Sequence, residues 1–314
     1  MADFAIVEKA GPLTLIQDTG RRGQQHLGVS VGGALDTHAA GWANLLLDNT
    51  ASAALLEICL GPFALRFPSA TRIAITGADC GWQLDGEALQ PWSSHRVPAG
   101  GLLQAGMARD GLRGYLAVAG GFKCPPVWGS RATTVGERLG GLNGLNGEPL
   151  KNADRLPYGQ DSGGGLRQAP AEFQRRYDAP LALRLVPSNQ YADFSESARR
   201  QFFGQEYKVA PDSDRMGVRL SGEALEEVPG NLVSEAVCPG VVQVPASGQP
   251  IVLMRDCQTI GGYPKLGHVY SVDLDWLAQA RPGARVRFMP GSLAESQALL
   301  REQRQFFIGA NDDR

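Results

Sequence analysis

Apolar residues gather along this chain in short runs, alternating with polar positions or continuous, and each run is closed by Gly, Pro or Asp. That rhythm predicts strands at Leu13–Gln17, Leu55–Leu60, Phe63–Phe67, Arg72–Thr76, Leu102–Ala105, Tyr115–Ala119, Leu181–Val186, Met216–Leu220, Val241–Val244, Ile251–Met254, His268–Val272 and Arg285–Met289. Stretches at helical spacing are few. They cover Thr37–Leu47 with Asp36 as N-cap, Ser195–Phe203, Leu274–Ala280 after Asp273, and Ser292–Phe307, with Gly309 onward frayed. The expected fold is therefore mainly β with a few helices, a barrel or sandwich architecture rather than a parallel sheet with crossover helices.

A chain of 314 residues exceeds the usual size of one domain. Regular patterning lapses between Tyr158 and Pro180, where Gln160-Asp161-Ser162-Gly163-Gly164-Gly165 leads into a charged stretch, and this segment reads as an interdomain connector. The resulting division is residues 1–170 and 171–314, the C-terminal helix closing the second domain. A faint internal echo links the halves, since Ala119-Gly120-Gly121-Phe122-Lys123 follows a strand much as Ile260-Gly261-Gly262-Tyr263-Pro264-Lys265 does.

Lys plus Arg number 30 against 32 Asp plus Glu, a balance that argues against nucleic acid and acidic membrane as partners and for a small molecule or protein. The opening residues lack a basic flank followed by an apolar core, so a cytoplasmic location is expected. Five cysteines at irregular spacing and four scattered histidines predict free, mostly buried thiols and no metal centre.

The densest chemistry lies in Gln258-Thr259-Ile260-Gly261-Gly262-Tyr263-Pro264-Lys265, which sets an amide, a hydroxyl, a phenol and an ammonium beside flexible backbone. A hairpin turn accounts for Gly-Gly-Tyr alone; segments of similar density elsewhere favour a ligand-shaped loop. Gln17-Asp18-Thr19-Gly20-Arg21-Arg22-Gly23 offers a carboxylate and an arginine fork suited to a carboxyl group, or equally an Asp-capped turn with an ion pair. Asn44 and Glu57 are polar on an apolar helix and strand, so they join a buried network or line a cleft. Asp79 reads first as a turn residue. Gly129-Ser130-Arg131 offers an oxyanion site, and Ser213-Asp214-Arg215 pairs charges before a strand, with Gln249 and Asp256 flanking the strand that leads to the dense loop. Gly28-Val29-Ser30-Val31-Gly32 has the small-residue pattern of a nucleophile elbow, but in a β-rich chain Ser30 is expected in a loop. Glycines 140, 141, 144 and 147 lack the Lys-Ser/Thr of a phosphate loop.

Together with His26-Leu27-Gly28-Val29, Gly33-Ala34-Leu35-Asp36, Ala43-Asn44-Leu45-Leu46, Leu56-Glu57, Thr76-Gly77-Ala78-Asp79 and Pro245 to Pro250, these segments resemble the biotin-dependent carboxyltransferase family across nearly the whole chain. The family includes the C subunit of bacterial ATP-dependent 5-oxoprolinase, allophanate hydrolase subunit 2 and the carboxyltransferase part of urea carboxylase. Ile260 and Val218 depart from its usual threonine and tyrosine. The resemblance implies two cyclophilin-like β-barrels with an interdomain cleft. It also implies two partners for an oxoprolinase, its B subunit, which is allophanate hydrolase subunit 1-like, and its A subunit, which is of the lactam-utilisation type, with ATP used by the complex. Biotin, where used, arrives on another chain, since no lysine here sits in Met-Lys-Met.

Two chemistries fit the resemblance: opening of 5-oxoproline to glutamate, taken first, and carboxyl transfer to urea or a related amide. A non-catalytic regulator that binds a partner protein is the reading from another class. The catalytic set implied is Asp18, Arg131, Asp214, Tyr263 and Lys265. Substrate contacts are assigned to Arg21, His26, Asn44, Glu57, Asp79, Arg215, Gln249, Gln258, Thr259, Gly261 and Gly262.

Overall fold

The computed structural model describes residues 3–226, 229–230 and 232–312. The chain is mainly β and forms two compact units: Met1–Arg21, Gly32–Asp178 and Arg304–Arg314 make the first, Arg22–Val31 and Ala179–Gln303 the second. Residues 171–178, grouped with the second domain by the sequence pattern, thus run with the first unit.

In the first unit, one sheet orders its strands Arg155–Tyr158, Asp3–Lys9, Phe63–Phe67, Gly101–Ala105, Gln83–Leu84 and Glu87–Ala88. The other runs Leu13–Gln17, Leu55–Cys59, Asp110–Val118, Thr71–Asp79 and Ser93–Val97. Alternation decides what each face meets. Ile73, Ile75, Leu116 and Val118 face a core shared with Val7 and Leu65 of the first sheet. Their neighbours Ala74, Tyr115 and Ala117 face α1 (Thr37–Leu45) and Phe307. Asp36 caps α1 by accepting from Ala39 N at 2.9 Å, as its position predicted. Arg155–Tyr158 escaped the sequence reading because it carries Pro157, which an edge strand tolerates and a central one does not.

The segment after Tyr158 is strapped to the first unit rather than loose. Arg72, buried on its strand, takes Asp161 through Nε at 3.0 Å and Nη2 at 2.7 Å, and Tyr177 donates to Asp36 at 3.0 Å.

The second unit holds a closed barrel: Leu181–Pro187, Lys265–Val269, Val241–Gln243, Ile251–Leu253, Gly217–Ser221, Tyr207–Val209 and Arg285–Pro290, which returns to the first strand in parallel. A two-stranded ladder pairs Glu235–Ala236 with Ile260–Gly261. Ser195, read from the sequence as the first residue of a helix, instead caps α2 (Glu196–Gly204), its hydroxyl accepting from Ala198 N at 3.1 Å. The strand predicted at 268–272 instead spans Lys265–Val269, and α3 is Ser271–Leu277, not 274–280 after an Asp273 cap. Asp273 is spent elsewhere, accepting from the Arg184 backbone at 2.9 Å and its guanidinium at 2.6 Å. The last helix, α4, runs Leu293–Asp312, past the expected fraying point.

Candidate functional site

The Gln258–Lys265 loop leaves a turn at residues 254–257 and re-enters the barrel at Lys265. Its backbone is stapled: Val237 N donates to Thr259 O at 2.9 Å and Leu232 N to Gly262 O at 3.0 Å. The close approach explains the glycines. A Cβ at Gly261 would lie 2.6 Å from Gln243 Nε2, and one at Gly262 would lie 2.8 Å from Leu232 O. Gln258 is exposed and Thr259 half-buried.

Lys265 sits opposite Gln243 in the barrel and is only 4% exposed. Its ammonium forms an ion pair with Glu235 Oε1 at 3.0 Å and donates to the Tyr263 carbonyl at 3.3 Å. Gln190 braces the same pair, donating to Glu235 Oε1 at 2.6 Å while its own Oε1 accepts from the Lys265 backbone at 2.9 Å. An ammonium has three donors, so these two partners do not exhaust it and a donor remains for an incoming oxygen. Tyr263 is exposed, and its hydroxyl has no partner among the described residues. Glu235, Gln190 and Gln243 escaped the sequence reading. Nothing local marks them; the ladder to 260–261 brings in Glu235, and barrel register brings in Gln243.

Asp214 Oδ1 accepts from Met216 N at 2.8 Å and Gly217 N at 3.1 Å, closing its own turn. Arg215 is buried and forks onto Asp256 at 2.8 and 2.9 Å, tying that turn to the one feeding the loop. Gln249 pairs both its amide atoms with the Gly222 backbone at 3.0 Å, and His26 is exposed in a short 3-10 turn. Ser30 lies in an irregular segment with no strand before it, as a loop residue should.

In the first unit, Asp18 is a clamp. Its carboxylate accepts from Gly20 N at 2.8 Å, Ser130 Oγ at 2.6 Å and Arg131 N at 2.6 Å. Arg21 is fully buried and donates to Thr134 Oγ1 at 3.1 Å and to the Ala132 carbonyl. The 17–21 and 130–134 segments are thereby sewn together, and Arg131 presents its side chain after donating from Nε to Cys124 O at 2.9 Å. Asn44 donates to Ala53 O and Glu57 accepts from Leu35 N, both at 2.9 Å. Antiparallel register places Tyr115 opposite Glu57, to which it donates at 2.8 Å; burial and the adjacent carboxylate hold this phenol well above its usual proton affinity. Asp79 is exposed and accepts from Gly81 N at 2.9 Å in a turn.

The five cysteines are free, three of them buried. Cys238 lies 3.5 Å from His268 Nε2, a pair the sequence spacing concealed. Although Cys238 keeps an exposed edge, desolvation by its surroundings pushes the thiol up, as it pushes the imidazole down, the reverse of an activated thiolate–imidazolium pair.

A family model described as the carboxyltransferase domain, subdomains A and B, matches residues 27–290. The chain is 38% identical over 302 residues to the C subunit of 5-oxoprolinase from Escherichia coli, covering 95% of each. It is 26% identical to urea amidolyase of Lachancea kluyveri over 95% of this chain and 17% of that one. The solved urea amidolyase of Kluyveromyces lactis superimposes with a TM-score of 0.88 at 26% identity, over 98% of this chain and 20% of that one.

Proposed function

The chain belongs to the carboxyltransferase family of subdomains A and B, and from that premise we propose that it is the C-type subunit of an ATP-dependent 5-oxoprolinase, a hydrolase that opens 5-oxo-L-proline to L-glutamate. The observation that carries the reading is the 38% identity to the C subunit of the Escherichia coli 5-oxoprolinase over 95% of both chains.

Amide resonance makes a lactam carbonyl a poor electrophile, and attack places negative charge on its oxygen. Fixed donors aimed at that oxygen lower the barrier most. Lys265 supplies one: Glu235 and the Tyr263 carbonyl fix its ammonium and leave a hydrogen for the substrate. The Tyr263 hydroxyl supplies a second donor at the same loop. Asp18 and Asp214 act as positioning residues through the turns they close, and Arg215 acts through Asp256 on the approach to the loop.

ATP does not fit the glycine-rich run at 140–147. A Cβ at Gly140 would fall 1.9 Å from Ala132 O and one at Gly147 2.5 Å from Arg138, so these glycines serve tight packing, not a phosphate cradle. In this reading ATP is consumed on partners of the A and B types, in the cytoplasm. The urea carboxylase likeness favours a second reading, carboxyl transfer to urea or a related amide. There Lys265 and Tyr263 would hold the ureido carbonyl of biotin carried on another chain, and the bound group would supply a transferable carboxyl.

The test reconstitutes the chain with its A- and B-type partners and follows glutamate and ADP from 5-oxoproline. Lys265→Met should cut turnover about 10²- to 10³-fold, with partial recovery in Lys265→Arg. Unchanged turnover would remove Lys265 from the chemistry and leave a regulatory binder, whereas urea-dependent consumption of carboxybiotin without glutamate would favour the second reading.

A further inference from the structure

The first unit contains a cavity of about 270 Å³, near the lower end of small-ligand pockets. Its wall is built rather than incidental. Asn49, itself buried, accepts from Gly120 N at 2.8 Å and donates to Val118 O at 2.9 Å and Asn44 Oδ1 at 3.1 Å. Asn44 in turn holds the 50–54 turn through Ala53 O. Gly121 has φ +70°, and a Cβ there would press on Ala53 Cβ at 3.0 Å. Two amides and two glycines thus fix the Gly120–Lys123 turn against the end of α1.

Two cations border this space. Lys123 is exposed, and its ammonium has no partner among the described residues. Arg131 is held at Nε by Cys124 O, and its two terminal nitrogens have no such partner. Asp48 also lines the cavity, and its bond to Arg167 at 2.7 Å offsets its charge. A guanidinium fork and an ammonium lining one cavity suit a carboxylate. The turn after α1 borders the cavity through Leu47, and the negative pole of the helix end opposes an anion there, a dianion more than a monoanion.

We propose that this cavity is a binding site for a small monocarboxylate, gripped by Arg131 and Lys123. The proposal stands whether or not the chain takes part in lactam opening.

The experiment uses the full-length chain alone, without ATP or partner proteins, and follows backbone amide shifts by NMR during titration with L-lactate, 5-oxoproline and inorganic phosphate. The expected result is saturable movement of the Gly120 and Gly121 amides with both carboxylates, at a Kd of about 1 mM or tighter. Lys123→Gln and Arg131→Lys, chosen to keep the fold, should each weaken binding at least about threefold and together about tenfold. No movement at Gly120 and Gly121, undiminished affinity in the double variant, or a preference for phosphate over both carboxylates would each overturn the proposal. Because no turnover is measured, failure here and failure of the lactam-opening reading are separately visible.

Discussion

Lys265 and Gly261 show how far a residue's role depends on what is brought to it. The ammonium is buried and braced through Gln190, whereas its partner Glu235 is 41% exposed, so Glu235→Gln should cost about 1–3 kcal/mol in urea melts; an unchanged midpoint would show that the pair does not hold the lysine. Gly261→Ala should cost about 1–3 kcal/mol in denaturant melts, because its Cβ would meet the Gln243 amide at 2.6 Å. The penalty should shrink in a Gln243→Ala background; equal costs in both backgrounds would show that the amide is not the obstacle. At Cys238, a thiol raised by local desolvation and a histidine lowered by it leave both neutral near pH 7. Iodoacetamide labelling there, read by mass spectrometry, should be slow at pH 7 and climb toward about tenfold per unit as pH rises below the thiol's raised value. Fast labelling at neutral pH would contradict this. The sequence showed the loop's donors but not their partners, since Glu235 and Gln243 lie far from it along the chain.

Among elements, the strap after Tyr158 departs most from its sequence pattern. Polar, glycine-rich composition resembles a linker, yet Asp161 satisfies the buried Arg72 of strand Thr71–Asp79. Hydrogen bonds from Arg72 hold the Asp161 carboxyl below its ordinary value, whereas burial opposes them. A depressed folded value stabilises the fold above the unfolded value of about 3.9 and loses that contribution as pH falls through the folded one. Asp161→Asn should therefore cost about 2–3 kcal/mol at pH 7, and the gap to wild type should close below about pH 4. A gap constant across that range in urea melts would rule out the ion pair as its source. Ser93–Val97 was missed for a related reason: Ser-Ser-His-Arg-Val carries no apolar alternation, and its strand state comes from pairing with Thr71–Asp79. Helix α3 shifted because Arg184 claimed the carboxylate expected to cap it.

At the scale of the molecule, residues from Arg304 onward belong to the first unit although most of α4 belongs to the second. Phe307 packs edge-on to Trp42 at 6.2 Å between ring centres and lies over Gly41, where a Cβ would touch its ring at 2.9 Å. Phe307→Ala should cost about 3 kcal/mol and shift the fluorescence of Trp42 on the first unit's melting transition; an unchanged melt would show that α4 adds nothing to that core. The order of residues alone was enough for the local vocabulary: the period-2 runs that became strands, the Asp36 cap, and the family that the dense polar segments resemble. These are legible because propensity, capping and alternation act over a few residues. Folding in three dimensions was needed for Asp18 to clamp Arg131, for Glu235 and Gln190 to hold Lys265, and for two uncommitted cations to border one cavity. A buried polar group must find a partner wherever strand register and chain crossings deliver one, and that delivery depends on contacts distant in sequence.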